Sequence, residues 1–327
     1  FFVISGYLIT STIVRELDTG SFSLMNFYER RVRRILPALF VTLLATALLA
    51  SLMLYPREAK DYARSLVAAT LFFSSIFFYQ KSGYFDLEAE RQPLLHTWSL
   101  SVEEIFYIFF PPLMLLLWRH CRRQAFGWVL VIAVLSLSGA TLALGADPGS
   151  PAAFYLPPFR AWELMIGVLV ALNPWRLPHF PGFANLLSLV GLAMIAFPVF
   201  FYSSNTVFPG VAALLPCGGA ALILLGGQRR PSVVGRFLSW RPLVILGLIS
   251  YSLYLWHWPV FVYGRIWIGA APGLGQAWLL IGISLTLAVL SWRFVERPFR
   301  GRSGILPGKR IFALAGLAGL TIVGIGV

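Results

Sequence analysis

Long apolar stretches recur along the whole of this chain, and they constrain its fold more than any other feature. A helix crosses a bilayer core with about 20 mostly apolar residues. Stretches of that kind fall at residues 1–15 (partial), 36–55, 98–118, 126–146, 160–175, 184–202, 207–226, 242–262, 275–292 and 311–327. Each is apolar around its whole circumference, so helices rather than barrel strands are expected. Of the 327 residues, 58% are hydrophobic and 12% charged, against roughly 45–50% and about 25% in soluble domains. No single water-soluble core could shelter that much apolar surface. The expected fold class is all-α, a polytopic transmembrane helix bundle of about ten spans. The stretch 63–80 is read as a re-entrant or peripheral segment.

Orientation follows from Lys and Arg, which are retained on the cytoplasmic side. With the 16–34 loop inside and 63–80 not crossing, 19 of the 26 Lys and Arg fall inside. The outer seven are Arg57, Lys60, Arg64, Lys81, Arg91, Arg160 and Arg265. If 63–80 crossed fully, the first arginine cluster and RHCRR at 119–123 could not share a side. The formal net charge of +13 is thus an inner-face property, and a nucleic-acid partner is not expected. Cys121 and Cys217 form no disulfide framework, and no CxxC or His/Cys cluster suggests a metal. Pro37, Pro56, Pro111–Pro112 and Pro298 read as helix-end punctuation. The chain opens in mid-hydrophobic stretch at Phe1 and ends in another, as a fragment would.

An ionisable group inside a span costs roughly 2.5–3.5 kcal/mol on insertion scales, so each is a functional candidate. In YERRVRRILP, Arg31 and Arg34 stand three apart and share a helix face. Guanidinium forks suit phosphates, although lipid headgroups could also hold such a cluster. In LLHTWSLSVEEIFYIFFPP, His96, Ser99, Ser101, Glu103 and Glu104 enter the membrane together from the outer side. Ser101 and Glu104 have capping-box spacing. His96 beside a carboxylate is what general acid–base work on an alcohol requires. In LGLISYSLYLWHWPVFVY, His257 sits between Trp256 and Trp258, at the same outer depth as His96. Arg160 and Glu163 can pair on one helix face. Glu296 reads as part of a helix stop and snorkelling anchor, and His120 and His179 as solvated.

Taken together these stretches resemble the acyltransferase family 3 membrane proteins. The matching motifs are FFVISGYLIT at 1–10, FYERRVRRILP at 27–37, LLHTWSLSVEEIFY at 94–107, FRAWELMIG at 159–167, LGLISYSLYLWHWP at 246–259 and ERPFR at 296–300. WHWP and a further helix after ERPFR look like the branch that O-acetylates bacterial surface polysaccharide, whose fuller members carry an SGNH domain after the last helix. The resemblance implies an acyltransferase membrane domain over 1–300. Residues 301–327 would then be a linker and a final transmembrane helix, tethering a periplasmic domain.

It also implies transfer of an acyl group, usually acetyl, from cytoplasmic acetyl-CoA across the bacterial inner membrane. The acceptor would be a hydroxyl of a glycan or lipid-linked glycan such as O-antigen, exopolysaccharide or peptidoglycan. Membrane lipids are the other partners, and no metal is involved. Arg31 and Arg34 would serve the donor. His96, Glu103, Glu104 and His257 would be catalytic. Ser99, Ser101, Arg160, Glu163, Tyr251 and Trp256 would shape the acceptor side. A further histidine central to transfer precedes FFVISG in the family, so the fragment alone is expected to be inactive. Direct transfer and an acyl-histidine intermediate both stay open. The alternative function is a transporter or flippase for a lipid-linked sugar or anionic solute, although no inverted halves of the kind transporters show are visible.

Overall fold

The structure, a computed structural model, describes residues 1–82, 91–173, 182–203, 205–228, 232–300 and 308–326. His179 lies outside them. Among the described residues the regular structure is helical, with no strand. In chain order the helices are α1 (Phe2–Asp18), α2 (Leu24–Met53), α3 (Pro56–Thr70), α4 (Ser74–Lys81), α5 (Thr97–His120), α6 (Ala125–Ala146), α7 (Pro151–Tyr155), α8 (Pro157–Ala171), α9 (Phe183–Phe201), α10 (Leu214–Gly227), α11 (Val233–Leu238), α12 (Arg241–Ile268), α13 (Leu274–Ser291), α14 (Arg297–Arg300) and α15 (Gly308–Gly326).

Seven described segments are long and apolar enough to cross a membrane: α2, α5, α9, α12, α6 with the turn before it, α7 with α8, and α13 continued to Arg300. Helices α1, α10 and α15 occupy the other three expected positions and are shorter in their apolar reach. The chain is therefore a multi-pass helical membrane protein.

The stretch 63–80 is not one helix. It is split between α3 and α4, of 15 and 8 residues. At 1.5 Å per residue neither reaches across a hydrocarbon core of about 30 Å. The break falls at Leu71–Phe73, where Phe72 takes a left-handed φ of 59°.

The prolines depart from the expectation. Pro56 opens α3 and Pro298 lies in α14, but Pro37 is inside α2 and Pro111–Pro112 are inside α5. In a bundle, neighbouring helices and hydroxyl side chains can satisfy the backbone groups a proline frees, so such helices continue.

The chain divides into two compact units, one of residues 1–22 and 102–244, the other of 23–101 and 245–327. In the first, α1 packs on α8 with backbone against backbone. A Cβ at Gly6 would lie 2.0 Å from the Leu164 carbonyl oxygen, and one at Gly167 1.9 Å from that of Val3. Gly191 of α9 and Gly219 of α10 meet in the same way, each Cβ position 2.5 Å from the other's carbonyl. Without a hydrophobic force between helices in lipid, close packing of small residues is what holds them.

In the second unit, Leu39, Leu43, Leu66, Leu94, Leu100, Leu255 and Tyr263 form a buried core. Its polar atoms are paired. Thr46 Oγ1 and the Tyr62 hydroxyl are 2.9 Å apart, and the Tyr263 hydroxyl donates to the Thr46 carbonyl at 2.8 Å. These bonds tie α2, α3 and α12 together.

Candidate functional site

The second unit brings together two of the expected catalytic residues. His96 and His257 meet edge to face, with ring centroids 5.8 Å apart and planes at 75°. His257 sits on α12 and is half-buried; His96 lies one residue before α5 and is buried. The His257 Nδ1 lies 2.7 Å from the Tyr254 carbonyl and 3.2 Å from that of Leu253, both on its own helix. Two carbonyl oxygens can only accept, so Nδ1 carries a proton. In the neutral ring Nε2 is then the free base.

The reason the rings meet is local. Residue 259 is proline, so the Leu255 carbonyl lacks the N–H that a helix would supply from four residues on. That carbonyl lies against the His96 ring, although neither ring nitrogen makes a hydrogen bond of good geometry to a described residue. Burial, and then the charge of His257, push His96 down to about 3, so it is a neutral imidazole at physiological pH.

Tyr254, which the sequence reading passed over, closes the cluster. Its hydroxyl donates to the His96 carbonyl and lies 3.0 Å from Ser99 Oγ. Its spacing of three before His257 is the one sequence signal that marks it. Trp256 is buried, and its indole N–H has no partner among the described residues.

Ser101 has a different role from the expected cap. It is the fifth residue of α5, and its Oγ reaches the carbonyl of Phe72 and lies 3.0 Å from Ser75 Oγ. It therefore holds the break between α3 and α4.

The arginine cluster resolves into unequal members. Arg33 is paired with Glu29 at 2.8 Å. Arg31 stands over the Phe27 ring at 5.6 Å, and Arg34 is exposed. Glu296 is the largest departure from the sequence reading. It is fully buried rather than snorkelling. A π-helical turn over Trp292–Glu296 turns it inward, where Ser252 Oγ donates to it and Arg300 pairs with it at 2.5 Å. Arg300 also feels the charge of Arg34, and the Tyr251 hydroxyl donates to the Ile35 carbonyl at 2.9 Å. Helix α12 is thus tied to α2 at Ile35, and the ERPFR segment packs beside it on α2. No local pattern in the sequence marks a carboxylate among Arg293, Arg297 and Arg300 as buried.

The first unit holds the remaining candidates. Ser5 and Tyr107 both donate to the Glu103 carboxylate, and their oxygens are 3.1 Å apart. Glu104 is buried beside it. Arg160 and Glu163 form the expected pair, at 3.1 and 3.2 Å, both buried. The Arg160 guanidinium also lies within 5.6–5.8 Å of the rings of Phe2, Phe154 and Phe208. Among the described residues, no group of three or more His, Cys, Asp or Glu could hold a metal ion.

Fold and site define a multi-pass membrane protein with an imidazole pair, one ring buried and one half-buried, in one unit and a hydroxyl-bound carboxylate in the other. The chain belongs to the acyltransferase domain family, whose model matches residues 1–293. It is 31% identical over 95% of its length to a Bacillus subtilis protein named "Putative peptidoglycan O-acetyltransferase YrhL", covering 51% of that protein. It is also 31% identical over 92% of its length to "Putative O-acetyltransferase SACOL0978" of Staphylococcus aureus, covering 52% of it. An uncharacterized Haemophilus influenzae protein is 32% identical over 68% of this chain and 95% of its own. The chain thus spans about half the length of the first and second of these relatives. No solved structure matches it.

Proposed function

We propose that this chain is the membrane domain of an O-acetyltransferase of the bacterial inner membrane. It moves an acetyl group from cytoplasmic acetyl-CoA to a hydroxyl of a cell-envelope glycan on the other side. Residues 1–300 form the acyltransferase domain, and 301–327 a linker and a final helix that tethers a further domain. The observation that carries this reading is the His96–His257 pair, in which His257 presents a free Nε2.

Transfer of acetyl from a thioester to an alcohol forms a C–O bond and breaks a C–S bond. The hydroxyl proton ends on the coenzyme A thiol. His257 Nε2 carries that proton between the two, a role worth typically 10²–10⁴-fold in rate. His96 and Tyr254 pack on the His257 ring, Ser99 holds Tyr254, and the three line the acceptor's approach. On the donor side, Arg34 and Arg31 bind coenzyme A phosphates, and Arg300, aimed by Glu296, stands near Arg34. Glu103 and Glu104 are assigned acid–base roles, and Arg160 and Glu163 contacts to the acceptor.

The test is the whole protein in vesicles, supplied with radiolabelled acetyl-CoA and glycan acceptor. Label on the glycan is expected. A well-folded wild-type protein that leaves the glycan unlabelled overturns the proposal.

A further inference from the structure

Helix α12 runs unbroken from Arg241 to Ile268 with Pro259 buried inside it. A proline within a helix lacks the N–H that would bond the carbonyl four residues back, and its ring pushes that carbonyl aside. Pro37, Pro111–Pro112 and Pro198 also lie inside helices. At Pro259 the released carbonyl, that of Leu255, lies against an imidazole from a distant segment. Leu255 is fully buried, so water is a poor substitute for the missing partner, and a buried carbonyl left unpaired is costly.

The imidazole has the complementary need. His96 is buried, and neither ring nitrogen has a hydrogen bond of good geometry to any described residue. Neutral imidazole always carries one N–H donor. The backbone around it is gripped by α12 at two points. The Tyr254 hydroxyl donates to the His96 carbonyl, and the Trp258 indole N–H donates to the Gln92 carbonyl at 2.8 Å. These grips fall one residue before Leu255 and one residue before Pro259. His257 stands between them, with Nδ1 2.7 Å from the Tyr254 carbonyl and its ring edge to face with His96.

We propose that Pro259 is a positioning residue for proton transfer by His257. By keeping the Leu255 carbonyl out of the helix ladder, it supplies the acceptor to which one ring N–H of His96 donates. That bond fixes the tautomer of the His96 ring and holds it against His257. With an N–H at position 259, the carbonyl would return to the helix and His96 would lose its acceptor. Pro259 acts here only through Leu255 and His96. Its effect on catalysis rests on the acyl-transfer reading; the docking of the His96 ring does not.

The test uses the full-length protein in nanodiscs. P259A restores the N–H and suits a straight helix. Its thermal midpoint is expected to hold or rise while kcat for acetyl transfer falls at least about tenfold, with the KM for acetyl-CoA unchanged. The α-hydroxy analogue of alanine, placed at position 259 by nonsense suppression, puts an ester oxygen where the N–H was. It has neither ring nor donor, and is expected to recover most of the wild-type rate. Ring-nitrogen NMR of labelled histidine, with His96 assigned by its loss in H96F, is expected to show one neutral tautomer in wild type and in the ester variant, and a mixture in P259A. An ester variant no better than P259A, or a loss of activity in P259A matched by a fall in thermal midpoint, overturns the proposal. So does a single His96 tautomer common to wild type and P259A. If wild type transfers no acetyl group, the acyl-transfer reading fails, and the nitrogen spectra alone decide whether Pro259 positions His96.

Discussion

The rings of His96 and His257 meet edge to face at 5.8 Å, and Pro259 is a physical reason for it. By withholding its N–H, proline leaves the Leu255 carbonyl turned toward His96. Substitution of His257 by Gln keeps a polar side chain but removes the base. Acetyl transfer is expected to fall about 100-fold or more, with the thermal midpoint within a few degrees of wild type. A variant retaining more than a tenth of wild-type turnover contradicts the assigned role.

His96 makes stability depend on acid. Its folded-state value is pushed down to about 3, below the unfolded value of about 6.5. The unfolded chain therefore takes up a proton that the folded chain refuses, and stability falls as pH drops from about 6.5 toward 3. His96→Phe removes that contribution. Denaturation of wild type and variant between pH 7 and 4 checks this; parallel curves count against it.

The donor reading separates the arginines. Arg34→Ala and Arg31→Ala are expected to raise the KM for acetyl-CoA several-fold and leave acceptor choice unchanged. Arg33→Ala, whose partner is Glu29, acts on stability instead. Steady-state kinetics with donor and acceptor varied in turn distinguish the two, and a shift in acceptor preference would reject the assignment.

Arg160 and Glu163 test the cost of a buried pair. Each single replacement, Arg160→Met or Glu163→Leu, leaves an uncompensated charge and is expected to destabilise by about 3–5 kcal/mol. The double replacement should recover most of that loss. Chemical denaturation in detergent measures the coupling, and additive effects would show that the pair is not energetically linked.

The glycine contacts give a stability contrast. Gly167→Ala places a methyl 1.9 Å from the Val3 carbonyl oxygen and should cost about 1–3 kcal/mol or more. Gly282→Ala on α13 meets nothing within 4 Å and should be neutral or slightly stabilising. Thermal melts of the two variants side by side decide it.

The spans were legible because hydrocarbon thickness imposes a length and polarity that local composition reports directly. The non-spanning stretch 63–80 was legible through charge balance, and the break at Phe72 is its structural cause. The partners were harder. Ser99 meets Tyr254 across 155 positions, and Ser5 meets Glu103 across 98. No local pattern encodes such pairs. Glu296 was misread because charge next to arginines at a helix end ordinarily means solvent. Only the π turn, which shifts side-chain phase within the helix, brings it inside.

The backbone contact of α1 with α8 bears on how molecules move through this unit. Two helices whose carbonyl oxygens leave no room for a single methyl group admit neither pantetheine nor sugar between them. The seam at Gly6 and Gly167 is closed to traffic, so under the proposed function any substrate that passes α1 uses another of its faces.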